Sequence, residues 1–133
     1  MIEHTYLYSD TTEKIIKAFY KVYNTLGYGF LEKVYEKSMI IELKKLGLNA
    51  LRQVPIKVHY DGEIVGDYYA DIIVIDKVII ELKAAESLSP VDEAQLLNYL
   101  KATDIEVGLL VNFGTTPQLK RKIFTNDKKS SLR

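Results

Sequence analysis

Apolar residues in the first part of the chain recur with a helical period. Ile15, Phe19, Val22 and Leu26 follow one another at three- or four-residue intervals, Asp10 and Glu13 have the spacing of a capping box, and Gly27 ends the pattern. A first helix is therefore predicted up to Leu26. After the Gly27-Tyr28-Gly29 break a second periodic segment puts Leu31, Val34, Tyr35, Ser38 and Leu46 on one face, with Gly47 as a C-terminal stop. From Leu51 the period drops to two. Val54, Ile56 and Val58 alternate with Pro55, Lys57 and His59, and Asp61-Gly62 is a strong hairpin signal. Two more runs rich in Ile and Val, Tyr68 to Ile75 and Val78 to Lys83, are separated by Asp76-Lys77. Ser89-Pro90 then starts a helix over about Val91 to Ala102, with Asp92 and Glu93 at its positive end. Glu106 to Phe113 reads as a buried strand, Gly114-Thr115-Thr116-Pro117 closes it, and Leu119 to Phe124 suits a last strand or a short helix equally. The order is α-α-β-β-β-α-β, without repeat or linker, which predicts one domain over residues 1–133.

Composition removes several chemistries. The 133 residues contain no Cys and two His, His4 and His59, so a zinc finger, a thiol nucleophile and a multi-histidine metal site are all excluded. Any bound metal must be held mainly by oxygen. No apolar run approaches the roughly 20 residues of a membrane helix, and Met1 to Asp10 carries no leader pattern, so the expected location is the cytoplasm. Eighteen basic residues balance eighteen acidic ones, so the overall field draws in neither nucleic acid nor an acidic membrane. The basic excess from Pro117 to Arg133 reads most simply as a solvated tail, set at about 125–133.

Against this background three charges stand out. In Val78-Ile79-Ile80-Glu81-Leu82-Lys83 two charges interrupt a run that should be buried on both faces, and their spacing of two points Glu81 and Lys83 the same way. Asp71 interrupts the preceding strand in the same manner. Such groups are costly inside a sheet unless paired, hydrated or bound to something. Two carboxylates and a lysine suit a hard divalent cation with a water or phosphate beside it. Register decides whether they meet. A two-residue turn pairing Ile75 with Val78 sets Asp71 opposite Leu82, facing away from Glu81. A three-residue turn over Ile75 to Lys77 sets Asp71 opposite Glu81, and a loop of Asp76 to Val78 sets it opposite Lys83. An odd register, by such a turn or by a bulge, is predicted.

Asp71 followed by Glu81-Leu82-Lys83, in this order of elements, resembles the PD-(D/E)XK nuclease superfamily, with Ala70 standing where the usual motif has Pro. Gly29-Phe30-Leu31-Glu32-Lys33-Val34-Tyr35 is similar to the pattern that names the GxxExxY protein family within it, and the likeness runs from about Asp10 to Phe124. The resemblance implies an α/β, restriction-endonuclease-like α-β-β-β-α-β core with an extra N-terminal helix and a central mixed sheet flanked by helices. It also implies a Mg2+- or Mn2+-dependent nuclease, a hydrolase acting on DNA or RNA to leave a 5′-phosphate and a 3′-hydroxyl. Asp71, Glu81, the accessory Glu32 and the Leu82 carbonyl are then the metal ligands, and Lys83 is the group beside the attacking water. Periodicity alone also allows Glu32 to be a boundary carboxylate in solvent. Gln95 and Tyr99, four apart on one helix face, look like the Gln-x-x-x-Tyr motif of RecB-like nucleases and are implied to contact nucleic acid; a surface glutamine beside a packed tyrosine explains them as well. Tyr20, Tyr23, Tyr68 and Tyr69 are expected in the core or an interface. A homodimer or partner protein suits so small a domain, and a nuclease fold kept as a binding or regulatory module without turnover is the alternative.

Overall fold

The computed structural model describes residues 7–130 and 132–133, so most of Met1 to Asp10, the stretch read for a leader, lies outside the described residues. Three helices, α1 (Ser9–Leu26), α2 (Glu32–Lys45) and α3 (Pro90–Lys101), pack on five strands, β1 (Ala50–Tyr60), β2 (Glu63–Val74), β3 (Val78–Lys83), β4 (Val107–Phe113) and β5 (Pro117–Ile123). The sheet runs β1-β2-β3-β4-β5. Its neighbours are antiparallel except β3 and β4, which the α3 crossover makes parallel. This is the mixed α/β fold expected of a restriction-endonuclease-like chain. The segment left open between strand and helix is β5, paired with β4 along its whole length.

Two cores sandwich the sheet. On one face Ile15, Phe19 and Val22 of α1 and Tyr35, Met39 and Leu43 of α2 cover Ile72, Val78, Ile80, Leu82 and Leu109. On the other, Leu96, Tyr99 and Leu100 of α3 cover Ile73, Ile79 and Leu110. Each such side chain contributes roughly 1.5–3 kcal/mol on leaving water. Contact on the second face is so close that a Cβ at Gly108 would lie 2.6 Å from a Leu96 methyl. Ser89 caps α3 as expected, in a reciprocal capping box with Asp92.

Three local expectations are corrected. Asp10 does not cap α1 but lies within its first turn, which begins after Tyr8. The buried face of α2 is Tyr35, Glu36, Met39 and Leu43, while Leu31 and Val34 are exposed, because Leu31 precedes the helix and the apolar stripe begins one turn later. The C-terminal tail is docked: Lys129 Nζ donates to the carbonyls of Thr103 and Ile105, both at 2.8 Å, Arg133 pairs with Asp104, and Leu132 accepts from the His59 N–H. Of the four tyrosines expected in the core or an interface, Tyr23 is half-buried in the core, and Tyr20, Tyr68 and Tyr69 are exposed, which leaves the interface alternative for those three.

The β1–β2 hairpin is the irregular part. Asp61 and Gly62 both take positive φ, as the tight turn between twisted strands requires. β3 pairs with β2 at Ile72 to Val74, so the arm beyond that level has β1 and β2 as its two strands. Where the arm leaves the sheet, Gln53 adopts φ 52° and the alternation resets: Ile72 packs on the α1–α2 side, yet Ala70 packs with α3. The arm thereby curls toward α3, and Ile56, Val54 and Val58 follow it.

Candidate active site

The connection between β2 and β3 takes three residues. Ile72 pairs with Ile80 and Val74 with Val78, so Ile75 to Lys77 form the turn and the same register sets Asp71 opposite Glu81, the odd register that parity demands. Backbone pairing is replaced there by side chains. The Asp71 N–H donates to Glu81 Oε2 at 2.8 Å, and the Leu82 N–H donates to Asp71 Oδ2 at 2.9 Å. Each carboxylate thus reaches across the fork to the other strand's main chain, which satisfies donors that would otherwise be orphaned inside the sheet.

Electrostatics at the fork favour added positive charge. Burial, and then the Asp71 charge, push Glu81 up to about 8, and Glu81 is 4% exposed. Burial raises Asp71 as well, the Leu82 N–H opposes that, and the charges of Glu36 and Glu32 add to the rise. Lys83 follows on the same side of β3, half-buried, with Asp92 at 3.9 Å. At that separation the Lys83 pair with Asp92 is loose, so the ammonium is held near the carboxylates without being consumed by a partner.

The sequence-predicted residues do not all converge. Asp71, Glu81 and Lys83 meet at the fork, and the Leu82 main chain joins them through its N–H. Glu32 is exposed at the start of α2, close enough for its charge to act on Asp71. Gln95 and Tyr99 are joined by a 3.1 Å bond from Gln95 Nε2 to the Tyr99 hydroxyl. Tyr99 is buried in one cluster with Ala70 of β2 and Ile79 of β3, and its phenol is pushed up to about 12 by burial first and then by the charges of Glu81 and Asp71.

Two residues that periodicity did not single out complete the surroundings. Glu36, one turn beyond Glu32, is buried and accepts from Arg52 Nε at 2.9 Å. Gln53 Nε2 donates to both Glu36 oxygens at 3.1 and 3.2 Å and stands 3.5 Å from Asp71 Oδ1. A single amide thus links two carboxylates. The four-residue spacing from Glu32 to Glu36 was the available signal for Glu36; no residue pattern announces the left-handed Gln53. Tyr35 has a structural duty. Its hydroxyl donates to the Gly27 carbonyl at 2.7 Å and accepts from the Phe30 N–H at 3.2 Å, while its ring stacks on Phe113, so the loop leading to Glu32 is tied to the core. Asn112, wholly buried, clips the chain after β3 by bonding both the N–H and the carbonyl of Ala85 and the side chain of Gln118.

Among the described residues no three His, Cys, Asp or Glu side chains form a ready-made metal cage. The fork nevertheless suits a divalent cation: its donors are carboxylate oxygens, they are short of countercharge, and Mg2+ commonly uses one or two carboxylates and keeps its waters.

Comparison with known proteins follows the same lines. No curated protein matches the sequence. A solved structure titled "Crystal structure of SSO0001" aligns with a TM-score of 0.52 at 20% identity, over 72% of this chain and 51% of that one. The chain therefore spans about half the length of that structure, and the likeness is one of fold. Among the described residues no helix is long and apolar enough to cross a membrane. The sequence model of one nuclease superfamily matches residues 9–124, from the start of α1 to the end of β5 and through both strands of the fork. The chain belongs to the PD-(D/E)XK nuclease superfamily.

Proposed function

We propose that this protein is a divalent-metal-dependent nuclease that hydrolyses phosphodiester bonds, with DNA as its substrate. The observation that carries the reading is the fork itself: Asp71 and Glu81 opposed across diverging strands, with Lys83 on the same side, in a chain of this superfamily. Asp71 and Glu81 hold Mg2+ or Mn2+, with Glu32 and the Leu82 carbonyl as further ligands. When bound, the cation supplies Lewis-acid activation of water and neutralises charge on the phosphate. Lys83 donates to the attacking water, orients it toward phosphorus, and offsets charge that builds on the phosphate oxygens. Gln53 and the Leu82 N–H fix the Asp71 carboxylate, so it does not swing away when substrate approaches. Gln95 and Tyr99 contact the nucleic acid. The run Gly29 to Tyr35 supports assignment to the GxxExxY group, and one such domain, cytoplasmic and acting as a homodimer or with a partner protein, completes the proposal.

The competing reading, a nuclease fold retained as a binding or regulatory module, draws on one observation: both fork carboxylates are already occupied by main-chain donors. Activity separates the two. Purified protein with Mg2+ or Mn2+ and labelled single-stranded, duplex and branched DNA, with an RNA control, should show cleavage that EDTA stops. Lys83→Ala should abolish it while leaving the fold intact. Asp71→Asn should remove both cleavage and the metal-dependent rise in melting temperature. Full activity in Lys83→Ala would overturn the mechanism, and a folded wild-type protein inert on every substrate would favour the binding module.

A further inference from the structure

Beside the fork, the curled hairpin arm and α3 enclose a groove of about 450 Å³, a volume within the usual range for small-ligand sites. Val58, Gly66 and Val91 contribute its apolar surface, and Tyr68 and Tyr99 its aromatic surface. Gln95 and Asn98 add side-chain amides. Among the described residues that line it, none is Asp, Glu, Lys or Arg, in contrast to the charged fork next door.

The aromatic wall is built rather than incidental. Tyr68 is 47% exposed, yet its ring is fixed in place: the ring centre lies 5.8 Å from that of Tyr99, and a Cβ on Gly66 would fall 2.9 Å from Tyr68 Cε2 and 3.2 Å from Val58 Cβ. The absence of a side chain at Gly66 is what lets the Tyr68 ring lie back against the strand. Helix α3 belongs to both regions: its Val91, Gln95 and Tyr99 line the groove, while its Asp92 stands 3.9 Å from Lys83 at the fork.

We infer that this groove receives one unpaired nucleobase of a single-stranded segment of the substrate, stacked on Tyr68, while a neighbouring phosphate lies at the fork. The inference rests on the nuclease reading above and goes further by naming the strand state of the substrate. An uncharged, flat, amphipathic group suits apolar walls, an aromatic face and amides that hydrogen-bond base edges; a phosphate does not. A base inside a duplex has both faces covered and must be unstacked before it can enter, so unpaired strands are preferred. Continuity with the fork along α3 favours this occupant over a second copy of the chain.

Two measurements test it. Fluorescence anisotropy in EDTA reads binding of a labelled oligothymidylate, of the same strand carrying one abasic residue stepped along its length, and of a blunt duplex. Binding to the single strand should be at least about tenfold tighter than to the duplex. Tyr68→Ala and Gly66→Val should each weaken it by roughly 5- to 100-fold, the loss typical of one stacked base, and Tyr68→Phe should restore most of it. One abasic position should weaken the wild type and leave Tyr68→Ala unchanged. A flat abasic series, or unaltered binding by Tyr68→Ala and Gly66→Val proteins that unfold cooperatively in urea, overturns the inference. So does a dimer in sedimentation that Tyr68→Ala dissociates, which assigns the groove to a second copy. Cleavage assays on the same oligonucleotides keep the two readings apart: metal-dependent cleavage with a flat abasic series removes the groove alone, and the expected binding pattern without cleavage removes the catalytic reading alone.

Discussion

Replacing Glu81 by Gln keeps the shape of the side chain, and an oxygen to accept from the Asp71 N–H, but removes the buried charge. Glu81 titrates near 4.5 when unfolded and near 8 when folded, because burial and then Asp71 disfavour its charge. Between those values the folded state holds a proton that the unfolded state has released. Stability is thus fully present below about pH 4.5 and declines as pH rises through about 8. At 1.36 kcal/mol per pH unit the decline is at most about 5 kcal/mol, a large part of the 5–15 kcal/mol that usually holds a domain together. Urea unfolding of wild type and Glu81→Gln in EDTA at pH 5, 7 and 9 measures it. The two proteins should be nearly equally stable at pH 5, and the variant should be more stable by several kcal/mol at pH 9. Asp71, raised for the same leading reason, adds to the wild-type slope in the same sense. Addition of Mg2+ at pH 8 should recover stability in the wild type and much less in the variant. Parallel stability curves for the two proteins would refute the argument, since they would mean that Glu81 carries no excess charge cost in the folded state.

Other substitutions probe the supports around the fork. Tyr35→Phe removes both hydrogen bonds that tie down the Gly27 to Phe30 loop and should cost about 1–2 kcal/mol, read as a few degrees in melting temperature. Because Glu32 follows that loop, the same change should lower turnover more than substrate affinity. Asn112→Leu strands the Ala85 main chain and part of Gln118 in a buried site, and a loss of about 3 kcal/mol is expected in urea unfolding. Gly108→Ala drives a methyl into Leu96 and should cost about 1–3 kcal/mol, with a loosened α3 seen as faster amide exchange in that helix.

Much of this site is legible in the residues because it breaks their pattern. Charges at Asp71, Glu81 and Lys83 interrupt apolar runs, and the period of two makes their meeting a question of parity alone, which a three-residue turn answers. The parts that escape a reading of the sequence are set by tertiary contacts. Gln53 has no intrinsic reason to adopt φ 52°; it does so where the hairpin departs from the sheet and its amide finds two carboxylates. Glu36 sits beside Tyr35 on the inward side of α2, and its burial is tolerable because Arg52 and Gln53 arrive from another strand. Leu31 looks like the first residue of an apolar stripe but lies outside the helix, so its side chain follows the loop. Lys129 reads as a solvated charge until the α3–β4 connection presents two carbonyls to it.

The tip of the β1–β2 arm, past its contacts with α3 and with Leu132, separates reach from the fork. Because, among the described residues, no third strand pairs with the arm beyond Ile72, residues can be added to both sides of the Asp61-Gly62 tip without disturbing β3 or the fork. Two extra residues per side would lengthen the arm by about 7 Å, roughly one nucleotide step along an extended strand. On the proposed reading, a longer or shorter finger would therefore change what the domain reaches while the carboxylates and the lysine stay in place.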